Sequence, residues 1–205
     1  GQDSVAGTSA NEVLDGNSGD DALSGDGGDD TLYGNGGADT LDGGTGADVV
    51  YGGADNDVVF GGGDDDQLFG EAGSDTLDGG TGDEFIDGGA DADLIYGGDG
   101  ADHLEGGWAD SSVDTIHGGT GNDLIFGAGG NDQLYGEADS DWIDGGHGAD
   151  FIDGGTGTDR LVGDKDNDTI RGGSGADILT GGAGSDTLQG DGDDDSIWGA
   201  AGDFV

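Results

Sequence analysis

Hydrophobic and polar positions recur along this chain with a period of nine. Glycine stands at 7, 16, 25 and every ninth residue to 106, then at every ninth residue from 118 to 199, with one step of twelve between the two runs. When each repeat is numbered from its glycine, position 8 is aliphatic in all 21 complete repeats, from Leu14, Leu23 and Leu32 to Leu188 and Ile197. Positions 7 to 9 place one apolar side chain on one side and its neighbours on the other, which predicts a very short strand. Positions 1 to 6 are glycine-rich and predict a turn, because glycine reaches positive φ without steric cost. One nonapeptide then makes a turn and a strand, and two of them close an 18-residue coil with a strand on each side. Short strict repeats of this kind build solenoids, in which each unit buries its apolar face against the next.

The array runs through residues 1–205 as one domain. It comprises a partial repeat with Asp3 and Val5 at positions 6 and 8, eleven nonapeptides, an irregular twelve-residue repeat at 106–117, nine further nonapeptides and a stub from Gly199. The irregular repeat, beginning Gly106-Gly107-Trp108-Ala109-Asp110-Ser111-Ser112-Val113-Asp114, carries three extra residues in its turn and regains register at Asp114. The calcium sites it would share with Asp93 and Asp132 are the ones it puts in doubt, and it reads either as a tolerated loop or as a contact loop using Trp108. In the stub, Phe204 falls at position 6 unless one residue is deleted, which would give that position to Asp203 and position 8 to Val205. Both ends lie within a repeat and the chain does not start with Met, so a longer native protein is expected.

Composition changes the picture in one direction. The 205 residues include 54 Gly and 48 Asp or Glu against 3 Lys or Arg, a formal net charge of −45. A broad two-layer core is excluded, and nucleic acid and anionic membranes, which reward basic patches, are disfavoured as partners. No apolar run is long enough to span a membrane, no start resembles a signal peptide, and with no Cys there are neither disulfides nor thiolate sites. High charge with low hydrophobicity is also the signature of disorder. Acids held at one position through 21 repeats argue against that reading. His103, His117 and His147 occupy different repeat positions, no H-E-x-x-H occurs, and no nucleophile–base set stands out, so no enzyme is expected. Arg160, Lys165 and Arg171 read as solvated partners for surplus Asp.

Position 6 carries the chemistry. It is acidic in every complete repeat, as Asp in 19 and as Glu at Glu12 and Glu84. Residues 18 apart stack on one edge of the coil, giving two columns. One holds Asp3, Asp21, Asp39, Asp57, Asp75, Asp93, Asp114, Asp132, Asp150, Asp168 and Asp186; the other holds Glu12, Asp30, Asp48, Asp66, Glu84, Asp102, Asp123, Asp141, Asp159, Asp177 and Asp195. With strands ~4.8 Å apart, neighbouring carboxylates repel by ~0.9 kcal/mol in water and ~3.5 kcal/mol at an effective dielectric of 20. An array of this length should not fold empty. A hard divalent cation between turns converts the repulsion into coordination. Calcium suits a site of carboxylates and backbone carbonyls better than magnesium, which keeps its water and a tight octahedron.

The repeat Gly43-Gly44-Thr45-Gly46-Ala47-Asp48-Val49-Val50-Tyr51 and its counterpart Gly118-Gly119-Thr120-Gly121-Asn122-Asp123-Leu124-Ile125-Phe126 fit the consensus G-G-x-G-x-D-x-U-x, where U is aliphatic. Over essentially its whole length the chain resembles the RTX, or hemolysin-type calcium-binding repeat, family. The resemblance implies an all-β fold, a right-handed parallel β-roll (β-helix, or solenoid) with two short strands per 18-residue coil. It also implies that each calcium takes carboxylate oxygens from position 6 of two turns 18 residues apart plus carbonyls of the glycine-rich turns, roughly one ion per repeat. Nineteen such pairs of complete repeats, each with a doubly charged ion, would bring −45 to −7. Glu12 and Glu84 are expected to make weaker or shifted sites. Members of the family are secreted toxins, proteases, lipases, epimerases and adhesins, typically exported by type I secretion. The implied role is a calcium-binding structural module, secreted or at the cell surface, that folds on meeting calcium outside the cell. Two alternatives are a self-associating filament or adhesin block and a repeat domain appended to an enzyme or toxin beyond this segment. Self-association would use open roll ends or the outward aromatics, with Tyr33, Tyr51, Phe69, Phe126, Trp142 and Trp198 on one face and Phe60, Tyr96, His117, Tyr135 and Phe151 on the other. Those rings read either as stacked sheet-stabilising pairs or as a carbohydrate or association surface.

Overall fold

The computed structural model describes residues 1–108, 111–200 and 202–204. Because the apolar position recurs every 18 residues on each side, each strand finds an identical partner one coil above and one below. The result is two parallel eleven-stranded sheets, with alternate strands of the chain entering alternate sheets. Leu32 pairs with Val50 and Tyr33 with Tyr51 in one sheet, and Leu41 with Val59 in the other. No helix occurs among the described residues. The chain is a β-solenoid of about eleven coils, all-β and parallel as expected.

The core is two single-file rows of position-8 side chains between the sheets, joined in one cluster from Leu14 to Leu188, with Val5 and Ile197 packed at its ends. From Leu32 to Leu179 every one of these side chains has 0% exposure. A core one residue wide per strand leaves little apolar burial per coil, so the fold depends on what happens at the turns.

The strands extend further than the three residues expected from the pattern. Thr31–Gly36, Val49–Ala54 and Gln67–Ala72 each run through positions 7 to 9 and on through positions 1 to 3. The cause is the register itself: the coils superimpose so closely that the glycine positions pair as well, as in Gly44 with Gly62 and Thr45 with Gly63. The turn proper shrinks to positions 4 to 6. At position 4, the Asp residues that replace glycine, Asp55, Asp64, Asp91, Asp139, Asp166 and Asp193, all lie at φ between 70 and 76°. Asp tolerates this left-handed region better than other residues with a Cβ, which accounts for its being the usual substitute there.

Beside the irregular repeat the strands fall back to three residues, His103–Glu105 and Leu124–Phe126. The sheets nevertheless continue across it at a spacing of 21, pairing Ile95 with Ile116 and Leu104 with Ile125. Of the extra residues, Trp108 lies on the surface, where its indole donates to Glu105 Oε2 at 2.6 Å and its ring lies 5.9 Å from that of Phe126. At the other end, the amide of Asp186 donates to Asp203 Oδ1 at 3.1 Å and Thr187 bridges to Phe204. The one-residue deletion in the stub is therefore the correct reading, and Asp203 joins the first column. The matching expectation for Val205 lies outside the described residues.

The outward rings form two ladders. Tyr33, Tyr51 and Phe69 stack at 5.1 and 4.9 Å with interplanar angles of 4 and 11°. The ladder then crosses from position 9 to position 7 through Phe85 and His103 to Phe126 and Trp142, ending with Arg160 5.7 Å over the Trp142 ring. On the opposite sheet Tyr96, His117 and Tyr135 stack, continue to Phe151, and end under Arg171 at 5.5 Å. The best-stacked rings cover one another's faces and turn their edges outward. That arrangement stabilises a sheet, whereas a sugar platform needs an open ring face. The two arginines, read as solvated partners for surplus Asp, sit over these rings, and the Arg160 charge also acts on Asp144, lowering its pKa against the effect of burial.

Candidate metal-binding columns

Each position-6 residue ends its turn, just before the strand, and the 18-residue register stacks it on its counterpart. The structure brings the predicted acids together in the two predicted columns. Along both columns the backbone N–H of one position-6 residue donates to Oδ1 of the Asp one coil further on, at 2.6–3.1 Å. The irregular repeat does not interrupt this chain of bonds. Asp93 donates to Asp114 and Asp114 to Asp132, both at 2.9 Å, and on the opposite edge Asp102 donates to Asp123 at 2.9 Å. The amide bonds to Asp114 and Asp132 thus keep the regular geometry across the irregular repeat.

The second carboxylate oxygen is left without a donor. Oδ2 of Asp30, Asp48, Asp57, Asp66, Asp141 and Asp159 is buried and has no hydrogen-bond partner. Its surroundings are further acceptors. Over Gly25, the point a Cβ would occupy lies 2.3 Å from Asp30 Oδ2 and 2.4 Å from the carbonyl oxygen of Gly43, one coil on. Over Gly118 the same point lies 2.3 Å from Asp123 Oδ2 and 2.8 Å from the Gly136 oxygen. Position 1 is thus glycine throughout because its missing side chain leaves a cradle into which a carboxylate and a carbonyl from successive coils both point. Buried acceptors facing each other without a donor are costly unless a cation or proton lies between them. Oxygen-only donors of this kind suit a hard cation. Among the described residues no three acidic, His or Cys side chains converge in one cluster, so any ion there would draw on one or two carboxylates and, for the remainder, backbone carbonyls.

Electrostatics point the same way. Burial, partly offset by the hydrogen bond from the preceding amide, pushes Asp57, Asp66 and Asp168 up to about 7 and Asp141 to about 8. The charges of stacked neighbours add to this, Asp75 and Asp39 in the case of Asp57. Without a cation the coil favours protonated carboxyls.

The two Glu residues depart from the pattern in different ways. Glu12, in the first described turn of its column, bends back to its own turn, where Oε2 accepts from the Thr8 amide at 3.0 Å and Oε1 from the Thr8 hydroxyl, and these bonds lower its pKa. Glu84 is buried, and neither of its carboxylate oxygens receives a hydrogen bond. Burial, the adjacent Asp102 carboxylate and the hydrogen bond that a protonated Glu84 donates to it raise its pKa to about 9.

One set of polar residues was not foreseen. At position 5, Asp or Asn of one turn accepts from the position-5 amide of the next coil: Asp20 from Ala38 at 3.2 Å, Asn56 from Ser74 at 3.1 Å, Asp83 from Ala101 at 2.9 Å and Asn131 from Ala149 at 2.8 Å. This row runs in the opposite sense to the position-6 ladder. Its one sequence signal is that Asp or Asn at position 5 is often followed 18 residues later by Ala or Ser.

A family model for the RTX calcium-binding nonapeptide repeat, four copies long, matches this geometry's sequence at residues 6–41, 42–77, 78–113, 108–142, 129–161, 153–188 and 171–203. The chain belongs to the RTX calcium-binding repeat family. No curated protein matches it. As an RTX β-roll it is a calcium-binding repeat structure, and the orphaned Oδ2 atoms over the position-1 glycines are where its own residues best fit such an ion.

Proposed function

We propose that this RTX array is a calcium-folded structural module of a secreted or surface protein, held open where free calcium is low and closed into the roll where it is high. The observation that carries the reading is the pairing of a buried, donorless Oδ2 with a carbonyl oxygen of the next coil, repeated along both columns. Asp3, Glu12, Glu84 and the position-6 Asp residues, with Asp203 added, are the carboxylate ligands, roughly one ion lying in each gap between stacked turns. Calcium supplies the positive charge that lets two acceptor oxygens share one gap, so binding free energy becomes folding free energy. The protein's own contribution is to place the oxygens. Coil-to-coil amide bonds fix Oδ1, which aims Oδ2 at the carbonyl, and the position-1 glycine keeps the space clear.

The module has no catalytic part in this reading; any activity belongs to sequence beyond the segment. Circular dichroism in EGTA and then in millimolar calcium tests it. The strand signal is expected to be absent or weak in EGTA and to appear with calcium. An equal strand signal in both would show that folding does not depend on the metal.

A further inference from the structure

The position-6 ladder is intact at every described step but one. The amide of Asp48 donates to Asp66 and that of Glu84 donates to Asp102, at 2.7 and 2.9 Å, whereas Glu84 accepts nothing from the Asp66 amide between them. The extra methylene displaces the carboxylate from the place where an Asp would accept that bond. Both of its oxygens then point at acceptors of neighbouring coils. Oε1 lies 2.6 Å from the point a Cβ on Gly82 would occupy, a point 2.4 Å from the carbonyl oxygen of Asp64 in the coil before. Oε2 lies 3.1 Å from the corresponding point on Gly79, which is 2.5 Å from the carbonyl oxygen of Gly97 in the coil after. Glu84 is 2% exposed, so water does not relieve either pairing.

We propose that Glu84 makes the two gaps it borders, between turns 61–66 and 79–84 and between turns 79–84 and 97–102, the first calcium sites of the array to fill. The inference rests on the calcium reading above. At Asp30, Asp48 or Asp66 of the same column, an ion meets one oxygen without a donor and one already bonded to an amide. At Glu84 it meets a carboxylate with no amide hydrogen bond to give up, only a proton shared with the Asp102 carboxylate, and with one oxygen toward each gap. A cation here removes two acceptor–acceptor pairings with one carboxylate. Calcium affinity in oxygen sites is tuned over orders of magnitude by ligand charge and rigidity, so two oxygens free of the amide ladder, each aimed at a carbonyl, are enough to separate these sites from the rest. On this proposal Glu84 shifts its site and tightens it, the opposite of the weaker site expected of a longer carboxylate at this position.

Equilibrium dialysis with radioactive calcium tests this on the 205-residue chain, from submicromolar to millimolar free ion, with circular dichroism on the same samples. The unsubstituted chain is expected to show a first class of one or two ions with Kd about tenfold below the remainder. Glu84→Asp removes that class and leaves the folded endpoint in millimolar calcium unchanged. Asp75→Glu, the mirror change in the other column, adds one such class. Superimposable isotherms for the unsubstituted chain and Glu84→Asp would overturn the proposal. If Glu84→Asp does not fold, an Asp75→Glu isotherm without a new tight class overturns it. A chain that binds no calcium at all would instead overturn the calcium reading itself.

Discussion

Of the turns that depart from the array's rule, two depart from it oppositely. The turn at 106–114 adds three residues and leaves the ladder whole, with Asp93, Asp114 and Asp132 joined at 2.9 Å against 2.8 Å for the steps on either side. The turn at 79–84 keeps the regular length and adds one methylene, at Glu84, and there the ladder loses a bond. Chain length in a turn can be absorbed at the surface, where loop entropy grows slowly with length. Carboxylate length cannot, because the acid sits between two coils whose separation is set by backbone pairing. The coil tolerates extra residues outside the ion gap and registers a single atom inside it.

The largest expected effect comes from filling a cradle. In Gly118→Ala the new Cβ would lie 2.3 Å from Asp123 Oδ2 and 2.8 Å from the backbone oxygen of Gly136. Neither can move aside, since Asp123 is held through Oδ1 by the Asp102 amide and the other atom is main chain. A loss of about 3 kcal/mol is expected, read as a higher calcium midpoint for folding by circular dichroism and a lower Tm at saturating calcium. An unchanged midpoint would mean that the cradle over position 1 has no part in binding.

Next comes acidity, which separates the empty roll from the filled one. The carboxyls of Asp57, Asp66 and Asp168 are raised from 3.8 to about 7 and that of Asp141 to about 8 in the coil without a cation. Groups whose folded pKa is raised bind more protons folded than unfolded, so their contribution is fully present below the unfolded value and is lost as pH rises through the folded one. In EGTA, strand content is therefore expected to rise as pH falls from 8 towards 4. In limiting calcium the sign reverses, because protons compete with the ion and acidification releases it. A pH titration of the circular dichroism signal with and without calcium checks both directions.

The columns themselves were legible because the same residue type recurs at the same place: position 8 announces the core from Leu14 to Leu188, and position 6 announces the acid rows. What was hidden depended on how closely coils superimpose. Pairing through Gly44 and Gly62 lengthens the strands, yet glycine carries no strand signal of its own. The amide caps from Asp20 and Asn56 occupy a position the consensus leaves open. The aromatic ladder passes from Phe69 to Phe85 across two repeat positions, a diagonal contact that reading one position at a time does not find. The stub could be settled only by the bond from Asp186 to Asp203, since both registers were compatible with the residues.

A smaller effect, of opposite sign with and without metal, is expected for Asp57→Asn. Over Gly52, Asp57 Oδ2 and the Gly70 carbonyl oxygen lie 2.7 and 3.0 Å from the same point. An amide can keep the bond from Asp39 through its oxygen while its NH2 faces that carbonyl as a donor. The empty roll should gain about 1 kcal/mol from the new hydrogen bond, and the gap should lose a calcium ligand. Higher strand content in EGTA together with one fewer bound ion at saturation is the expected pair of results. Losing strand content in EGTA would show that Oδ2 does not face the carbonyl as described.

The smallest effect belongs to the long turn, and it tests the opening comparison directly. Deleting residues 108–110 leaves Gly106-Gly107-Ser111-Ser112-Val113-Asp114, a turn of regular length with Asp114 still at position 6. Among the described residues the deletion removes the hydrogen bond from Trp108 to Glu105 and a tilted ring contact with Phe126, made by a side chain that is 68% exposed. Such surface contacts contribute on the order of 1 kcal/mol, and shortening the loop returns a few tenths of that. The calcium midpoint of the deletion variant should therefore lie within about twofold of the unsubstituted chain, with the same number of ions bound. If deletion instead raised the midpoint as far as Gly118→Ala does, the extra residues would be supporting the Asp93–Asp114–Asp132 column, and turn length would matter as much as the carboxylate inside the gap.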